Sequence, residues 1–327
     1  MTVPVIDSID LNTWAYHSQY GYGRALYRGI FDWGLLYKET EVPQQEIKRR
    51  ERASEPFRTP THAGGLFAIS KAWFKQLGYY DPGLQIWGGE NFELSFKIWQ
   101  CGGEILNVPC SHVGHVYRNR MPYSFGGLSG PIVTLNYKRV AEVWMDEYKE
   151  FFYNREPFIR KHDAGDFTEQ LKIRKENNCK SFKWFMENVA YDMPVKYPFL
   201  PPNVIWGEFK PEGTEFCLDT MGRGIPGKLG VSPCHHQGGN QLFRLNKEGQ
   251  MATGEWCIIP EGKDITTSRC PFSRADGPWT YETSTKHIKL KASEDCLAAS
   301  PEQHQVHLVP CSSDANNLKW TATELHL

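Results

Sequence analysis

Apolar and polar positions alternate at strand spacing near the start of the chain, at helix spacing through its middle, and in short turn-rich runs at its end. Val3-Pro4-Val5-Ile6-Asp7 reads as a buried strand, and Phe31-Asp32-Trp33-Gly34-Leu35 as a second apolar piece. Residues 39–60 turn polar, and the charge run Lys48-Arg49-Arg50-Glu51-Arg52 predicts a solvated loop. Residues 63–69 read as a glycine-rich loop entering a buried strand, and residues 71–77 as a short helix. Residues 91–100 predict an amphipathic helix with Phe92, Leu94, Phe96, Ile98 and Trp99 in the core. A longer one is expected over 136–155, where Val140, Val143, Trp144, Tyr148 and Phe151 share a stripe, and its role is read as structural. Residues 118–130 are loop-like, residues 182–189 form a further helix, and the proline-rich stretch 197–203 is the best domain boundary.

Beyond that boundary the texture repeats. Cys217-Leu218-Asp219, Cys257-Ile258-Ile259 and Cys296-Leu297-Ala298 begin 40 and 39 residues apart, and each is followed by a second cysteine, at 234, 270 and 311. Asn240-Gln241-Leu242-Phe243, Gly277-Pro278-Trp279 and Asn317-Leu318-Lys319-Trp320 close the three units. Units of this length, rich in turns and short strands, fit a closed all-β solid with pseudo-threefold symmetry.

Composition narrows the classes. The 327 residues can hold two domains of ordinary size, and a formal net charge of -1 gives no electrostatic case for nucleic acid or an anionic membrane. No run of about 20 apolar residues is present to span a bilayer, and the first eight residues lack the pattern of a signal peptide. Nine cysteines, most of them spaced as pairs late in the chain, point to disulfides and a secretory compartment, and an odd number leaves one without a partner here.

The chemistry concentrates between residues 63 and 118. Trp87-Gly88-Gly89-Glu90-Asn91-Phe92-Glu93 pairs glycines that let backbone approach a ligand with a flat indole and a carboxylate, and Val113-Gly114-His115-Val116-Tyr117-Arg118 adds an imidazole. The bland alternative is a turn entering a core helix. Together with Ile98-Trp99-Gln100-Cys101-Gly102-Gly103 and Pro109-Cys110-Ser111-His112, this stretch resembles the second signature of the polypeptide N-acetylgalactosaminyltransferases, which start mucin-type O-glycosylation. The similarity runs from Val3 to Leu327. Phe92 and the run Cys179-Lys180-Ser181-Phe182-Lys183-Trp184-Phe185 resemble most the members that prefer already glycosylated peptides.

The resemblance implies an α/β fold first, a partial GT-A glycosyltransferase domain with an incomplete Rossmann-like sheet over 1–193. A proline-rich linker, 194–205, and an all-β ricin-type β-trefoil lectin domain, 206–327, follow. It implies that Glu90 and Asn91 face the donor sugar beside Trp87, and that Ala63, Gly64 and Gly65 let backbone approach the sugar of UDP-GalNAc. Arg118 and Tyr123 would belong to a lid over residues 118–130 that closes on the diphosphate. Such enzymes hold Mn²⁺ with an Asp-x-His pair and a later histidine, and His115 matches the later one. No aspartate of this chain is followed two residues on by His or Asp, so the chain alone is expected not to transfer sugar. Met121 in the lid and His112, where arginine is common, depart from the pattern. The implied disulfides are Cys101–Cys179, Cys217–Cys234, Cys257–Cys270 and Cys296–Cys311. Cys110 is left over because its partner in the family lies upstream, as expected of the C-terminal part of a longer protein.

In ricin-type lectins a sugar hydroxyl bonds an aspartate two residues after the first cysteine and an asparagine near the end of the repeat. Only the first repeat has both, Asp219 and Asn240, with His235 nearby, whereas Ile259 and Ala298 cannot accept those bonds. One working sugar site is therefore expected. The resemblance implies a retaining GalNAc transferase acting on Ser or Thr of peptides or GalNAc-glycopeptides, in the Golgi lumen and membrane-anchored when full length. The alternative is a non-catalytic GalNAc-binding lectin in which the first part serves as a scaffold.

Overall fold

The structure, a computed structural model, describes residues 1–19, 25–118, 130–224, 226–293, 295–311 and 315–324. The chain divides into two compact units: Met1–Phe152 with Asp163–Pro194, and Tyr153–His162 with Val195–Leu327.

In the first unit the apolar start of the chain becomes the strand Thr2–Ile9, which runs parallel to Leu106–Val116 and places Ser8 opposite His115. Tyr16–His17 and Phe57–Arg58 flank this pair in a four-stranded sheet. A parallel pair joined through helices is the arrangement of an α/β unit. A separate hairpin pairs Tyr27–Phe31 with Tyr37–Glu41. The core is aromatic, with Phe31, Phe92, Phe96, Phe182 and Phe185 in mutual ring contact.

Three local expectations need correction. Residues 63–69 do not form a strand; their one ladder contact is the bridge between Ala68 and Thr2. The helix expected over 136–155 starts earlier, as Ile132–Trp144, and is interrupted by a 3-10 turn, Asp146–Tyr148, before Lys149–Arg155. Asp146 adopts a left-handed φ of 47°, with its carboxylate bound to Arg174 and to the Phe182 N–H. Finally, the helix Glu90–Gln100 is buried all round rather than on one face. Its polar side chains are met individually: Glu93 by Lys97, Lys97 also by the Tyr79 carbonyl at 2.8 Å, and Gln100 by the Trp144 carbonyl at 3.1 Å. Cys101, at the end of this helix, is bonded to Cys179.

The second unit is a β-trefoil-like fold built on a ten-stranded curled sheet. Its core holds the residue after each repeat's first cysteine, Leu218, Ile258 and Leu297, and the closing aromatics Phe243, Trp279 and Trp320. The repeat is visible in the bonding as well. The indole N–H of Trp279 donates to the Ile258 carbonyl at 2.7 Å, and that of Trp320 to the Leu297 carbonyl at 2.8 Å. Phe243 fills the same place in the first repeat without a donor. Cys217–Cys234, Cys257–Cys270 and Cys296–Cys311 are each bonded, and Cys110 in the first unit is an exposed free thiol.

Candidate functional site

The glycines ahead of the helix Glu90–Gln100 set its start. Gly88 and Gly89 take φ values of 97° and 91°, and Gly89 is the N-cap. A Cβ on Gly88 would come within 2.9 Å of Val133 Cγ1, so the turn needs both the conformation and the missing side chain. The first carboxylate of the helix folds back over this turn, Glu90 Oε2 accepting from the Gly88 N–H at 3.0 Å. Its other oxygen points toward the second glycine-rich segment, 3.8 Å from where a Cβ on Gly64 would lie. Asn91 is buried and donates through Nδ2 to the His62 carbonyl at 3.1 Å. Residues distant in sequence, 62–64 and 88–91, thus form one wall.

Trp87, next to Gly88 in the chain, is 47% exposed. Beside the wall lies a cavity of about 510 Å³, lined by Ala63, Gly64, His62, Val5, Tyr37 and Tyr117. Gly65 has open space around its Cα, and Arg118 is exposed at the end of the described segment. Residues 119–129 of the expected lid, Met121 and Tyr123 among them, lie outside the described residues.

His62 went unnoticed in the sequence. It is 2% exposed, and burial pushes its imidazole down to about 4. The Ser95 hydroxyl donates to the Asn91 carbonyl at 2.6 Å, so its oxygen accepts from His62 Nδ1 at 2.9 Å. The proton therefore sits on Nδ1, and Nε2 is a buried acceptor without a partner.

His115 packs its ring 4.3 Å from that of Tyr117, and its Nδ1 is buried without a hydrogen-bond partner among the described residues. That orphaned nitrogen suits a metal ligand, but a single imidazole does not make a Mn²⁺ site. Among the described residues, the two clusters of potential ligands are His287 with Cys296 and Cys311, and Glu208 with Cys217 and Cys234. Both contain disulfide-bonded sulfurs, which are closed to metal. His112 bonds Asp7 through Nδ1 at 2.7 Å, while its Nε2 faces the Pro109 carbonyl at 3.0 Å.

In the second unit, Asp219, Asn240 and His235 are brought together. Asp219 is 3% exposed and receives four donors: Met221 N–H at 2.6 Å, Asn240 Nδ2 at 2.7 Å, Gln241 Nε2 at 2.8 Å and the Ser232 hydroxyl. Burial pushes its carboxyl upward, but the bonds from Ser232, Gln241, Met221 and Asn240 outweigh it and hold it below the ordinary value. His235 Nδ1 accepts from the Gln237 N–H at 3.1 Å, which leaves Nε2–H to donate to Asn240 Oδ1, also at 3.1 Å. Asp219 is thus saturated rather than open. A sugar hydroxyl would share or displace the Asn240 amide.

Known proteins bear on both units. A family profile described as the N-terminal domain of galactosyltransferase matches residues 48–121, and the ricin-type beta-trefoil lectin domain matches residues 205–320. The probable N-acetylgalactosaminyltransferase 7 of Caenorhabditis elegans is 53% identical over 327 residues, covering 100% of this chain and 54% of the relative. N-acetylgalactosaminyltransferase 7 of Drosophila melanogaster is 51% identical over 330 residues, covering 99% and 56%. A crystal structure of GalNAc-T7 with UDP, GalNAc and Mn²⁺ superposes with a TM-score of 0.91 at 43% identity, covering 99% of this chain and 60% of that one.

Over 99–100% of its length the chain is similar to N-acetylgalactosaminyltransferases. It spans about half the length of these relatives. Of the residues singled out in the sequence, Ala63, Gly64, Gly88, Gly89, Glu90 and Asn91 lie in the wall at 62–64 and 88–91.

Proposed function

We propose that the chain carries the sugar-facing part and the lectin of a retaining transferase that moves GalNAc from UDP-GalNAc to Ser or Thr. Its acceptors would be peptides or GalNAc-bearing glycopeptides in the Golgi lumen, and the whole protein would be a type II membrane protein. The observation that carries this reading is the meeting of Gly64 with Glu90 and Asn91 across the wall. A backbone without Cβ lets a hexose lie flat against residues 64–65. The Glu90 carboxylate, anchored on the Gly88 N–H, has its second oxygen left to orient hydroxyls. Held in this way, Glu90 positions the sugar and does not attack it.

The relative's structure holds Mn²⁺, and a metal there would offset charge on the leaving diphosphate. The described residues supply one candidate donor, His115, so Mn²⁺ is expected to bind only with further ligands from outside them. No step is assigned to the metal on this chain. A second reading, a GalNAc-binding lectin without transferase activity, is favoured by the ordered network around Asp219 set against this single metal ligand.

Incubation of the chain with Mn²⁺, UDP-GalNAc and peptides with and without GalNAc tests both. Saturable binding of the GalNAc-peptide, weakened at least tenfold by Asp219→Asn in protein still folded at the assay temperature, is expected on the scale of a lost charge-assisted bond of about 1.5–3 kcal/mol. No transfer is expected from this chain. Transfer would overturn the one-ligand argument, and unchanged binding by Asp219→Asn would remove the sugar site.

A further inference from the structure

Residues 85–89 hold an unusual backbone. Ile86, a β-branched residue, sits at a φ of 56°, followed by Gly88 and Gly89 at 97° and 91°. A non-glycine residue in the left-handed region is strained and persists only where its surroundings over-determine it. Ile86 is itself 55% exposed, so packing of its own side chain does not supply that constraint.

The constraint comes from the helix Ile132–Trp144, whose stripe the sequence reading gave to structure alone. Asn136, 2% exposed, turns its amide onto the loop. Its Oδ1 accepts from the Gln85 N–H at 3.0 Å, and its Nδ2 donates to the carbonyls of Gln85 at 2.8 Å and Trp87 at 3.1 Å. The peptide units before Ile86 and after Trp87 are therefore both tied to one side chain, and the Trp87 N–H closes the turn between them on the Gln85 carbonyl at 2.6 Å. Val133 and Asn136 also fill the space beneath Gly88 and Gly89 that a Cβ would need. Tyr137, one residue on, has its hydroxyl 3.8 Å from that position on Gly88. Burial, with the charges of Glu90 and Asp32, pushes this phenol up to about 12, so it stays protonated beside the loop.

We propose that Asn136 is a positioning residue that fixes the left-handed loop 85–89 and thereby the orientation of the exposed Trp87 indole. The inference stands on this geometry whether or not the loop faces a donor sugar. Under the transferase reading, which it extends, the clamp pre-shapes the sugar-facing edge so that ligand binding does not have to order it.

Hydrogen exchange and fluorine NMR on the intact chain, with fluorotryptophan incorporated and the Trp87 resonance assigned by Trp87→Phe, test the clamp. In the wild type the Gln85 amide should be protected; a freely exchanging Gln85 overturns the proposal without any variant. In Asn136→Ala that amide should exchange roughly 10- to 100-fold faster, the equivalent of one unmade buried bond. The Trp87 resonance should shift, while protection in the helix Glu90–Gln100 is kept. Asn136→Asp separates accepting from donating: its carboxylate still accepts from the Gln85 N–H, so that amide stays protected, but it cannot donate to the carbonyls of Gln85 and Trp87, and the Trp87 resonance should still move. Adding Ile86→Gly to Asn136→Ala should return that resonance toward its wild-type position, because glycine holds the same φ without strain. An unmoved Trp87 resonance in both single variants, or loss of protection throughout the helix with no recovery by Ile86→Gly, would make Asn136 a packing residue only. UDP-GalNAc binding, measured separately, bears on the transferase reading and not on the clamp.

Discussion

Glu93 lies in the helix Glu90–Gln100 and His62 is bonded to Ser95 of the same helix, and burial acts on the two in opposite senses. The imidazole is pushed down to about 4, and the Glu93 carboxyl up to about 7, burial outweighing the attraction of Lys97. For His62 the unfolded chain takes up a proton below about 6.5 and the folded chain does not until about 4, so its contribution falls as pH drops through that window. Glu93 behaves inversely: the folded chain keeps its proton to about 7 and the unfolded chain loses it near 4.5, so this contribution falls as pH rises. Between about pH 4.5 and 6.5 the two slopes oppose. His62→Asn, which retains an amide donor near Ser95, should expose the Glu93 slope, stability then decreasing with rising pH by up to about 1.4 kcal/mol per unit. Urea midpoints at half-unit pH steps check this; a mutant profile parallel to the wild type would contradict it. Neither residue could have been singled out from the sequence, because each shift arises from burial, which depends on segments remote in the chain. Asp219 shows the same limit from the other side. Its position in the repeat was legible, but its saturation by Ser232 and Gln241 was not.

At the scale of elements, the spacing of Phe92, Phe96 and Trp99 was enough to read a helix. That its polar face is also buried depends on partners at Tyr79, Trp144 and Gln170, which no local pattern encodes. The break at Asp146 likewise depends on Arg174 and Phe182. The helix Ile132–Trp144 is fixed by Arg139, which bonds Asp81 at 2.8 and 2.9 Å and the carbonyls of Ala164 at 2.6 Å and Asp166 at 2.8 Å. Both partners of the pair are almost wholly buried. Arg139→Leu alone should cost about 3–5 kcal/mol, because it strands a buried carboxylate. Pairing it with Asp81→Leu should recover part of that loss. Chemical denaturation of the two variants decides it, and a single mutant within about 1 kcal/mol of the wild type would show that the pair carries little. The same helix presents Asn136 to the loop at 85–89, so loosening it should reach the Trp87 edge as well.

At the scale of the whole molecule, both fold classes were legible, for different reasons. The trefoil announces itself by repetition: three pairs of cysteines and three closing aromatics recur in register, and Trp279 and Trp320 make the same bond to the backbone. The α/β part was legible through its signature residues, since one parallel strand pair with flanking helices is compatible with many folds. What the sequence did not convey there was the wall itself, in which Gly64, Glu90 and Asn91 come together although the two glycine-rich segments are separated by a helix and a loop. Under the proposed function the donor sugar lies against that wall. Its most direct test is the transfer rate of Glu90→Gln in a form of the protein extended to the length of its relatives, with UDP-GalNAc, Mn²⁺ and a GalNAc-bearing peptide. Glutamine can still accept from the Gly88 N–H but lacks the charge that orients the sugar. A fall of about 100-fold or more in kcat, with the thermal midpoint unchanged, is predicted from the loss of one preorganised polar group; a rate within a factor of two of the wild type would contradict it.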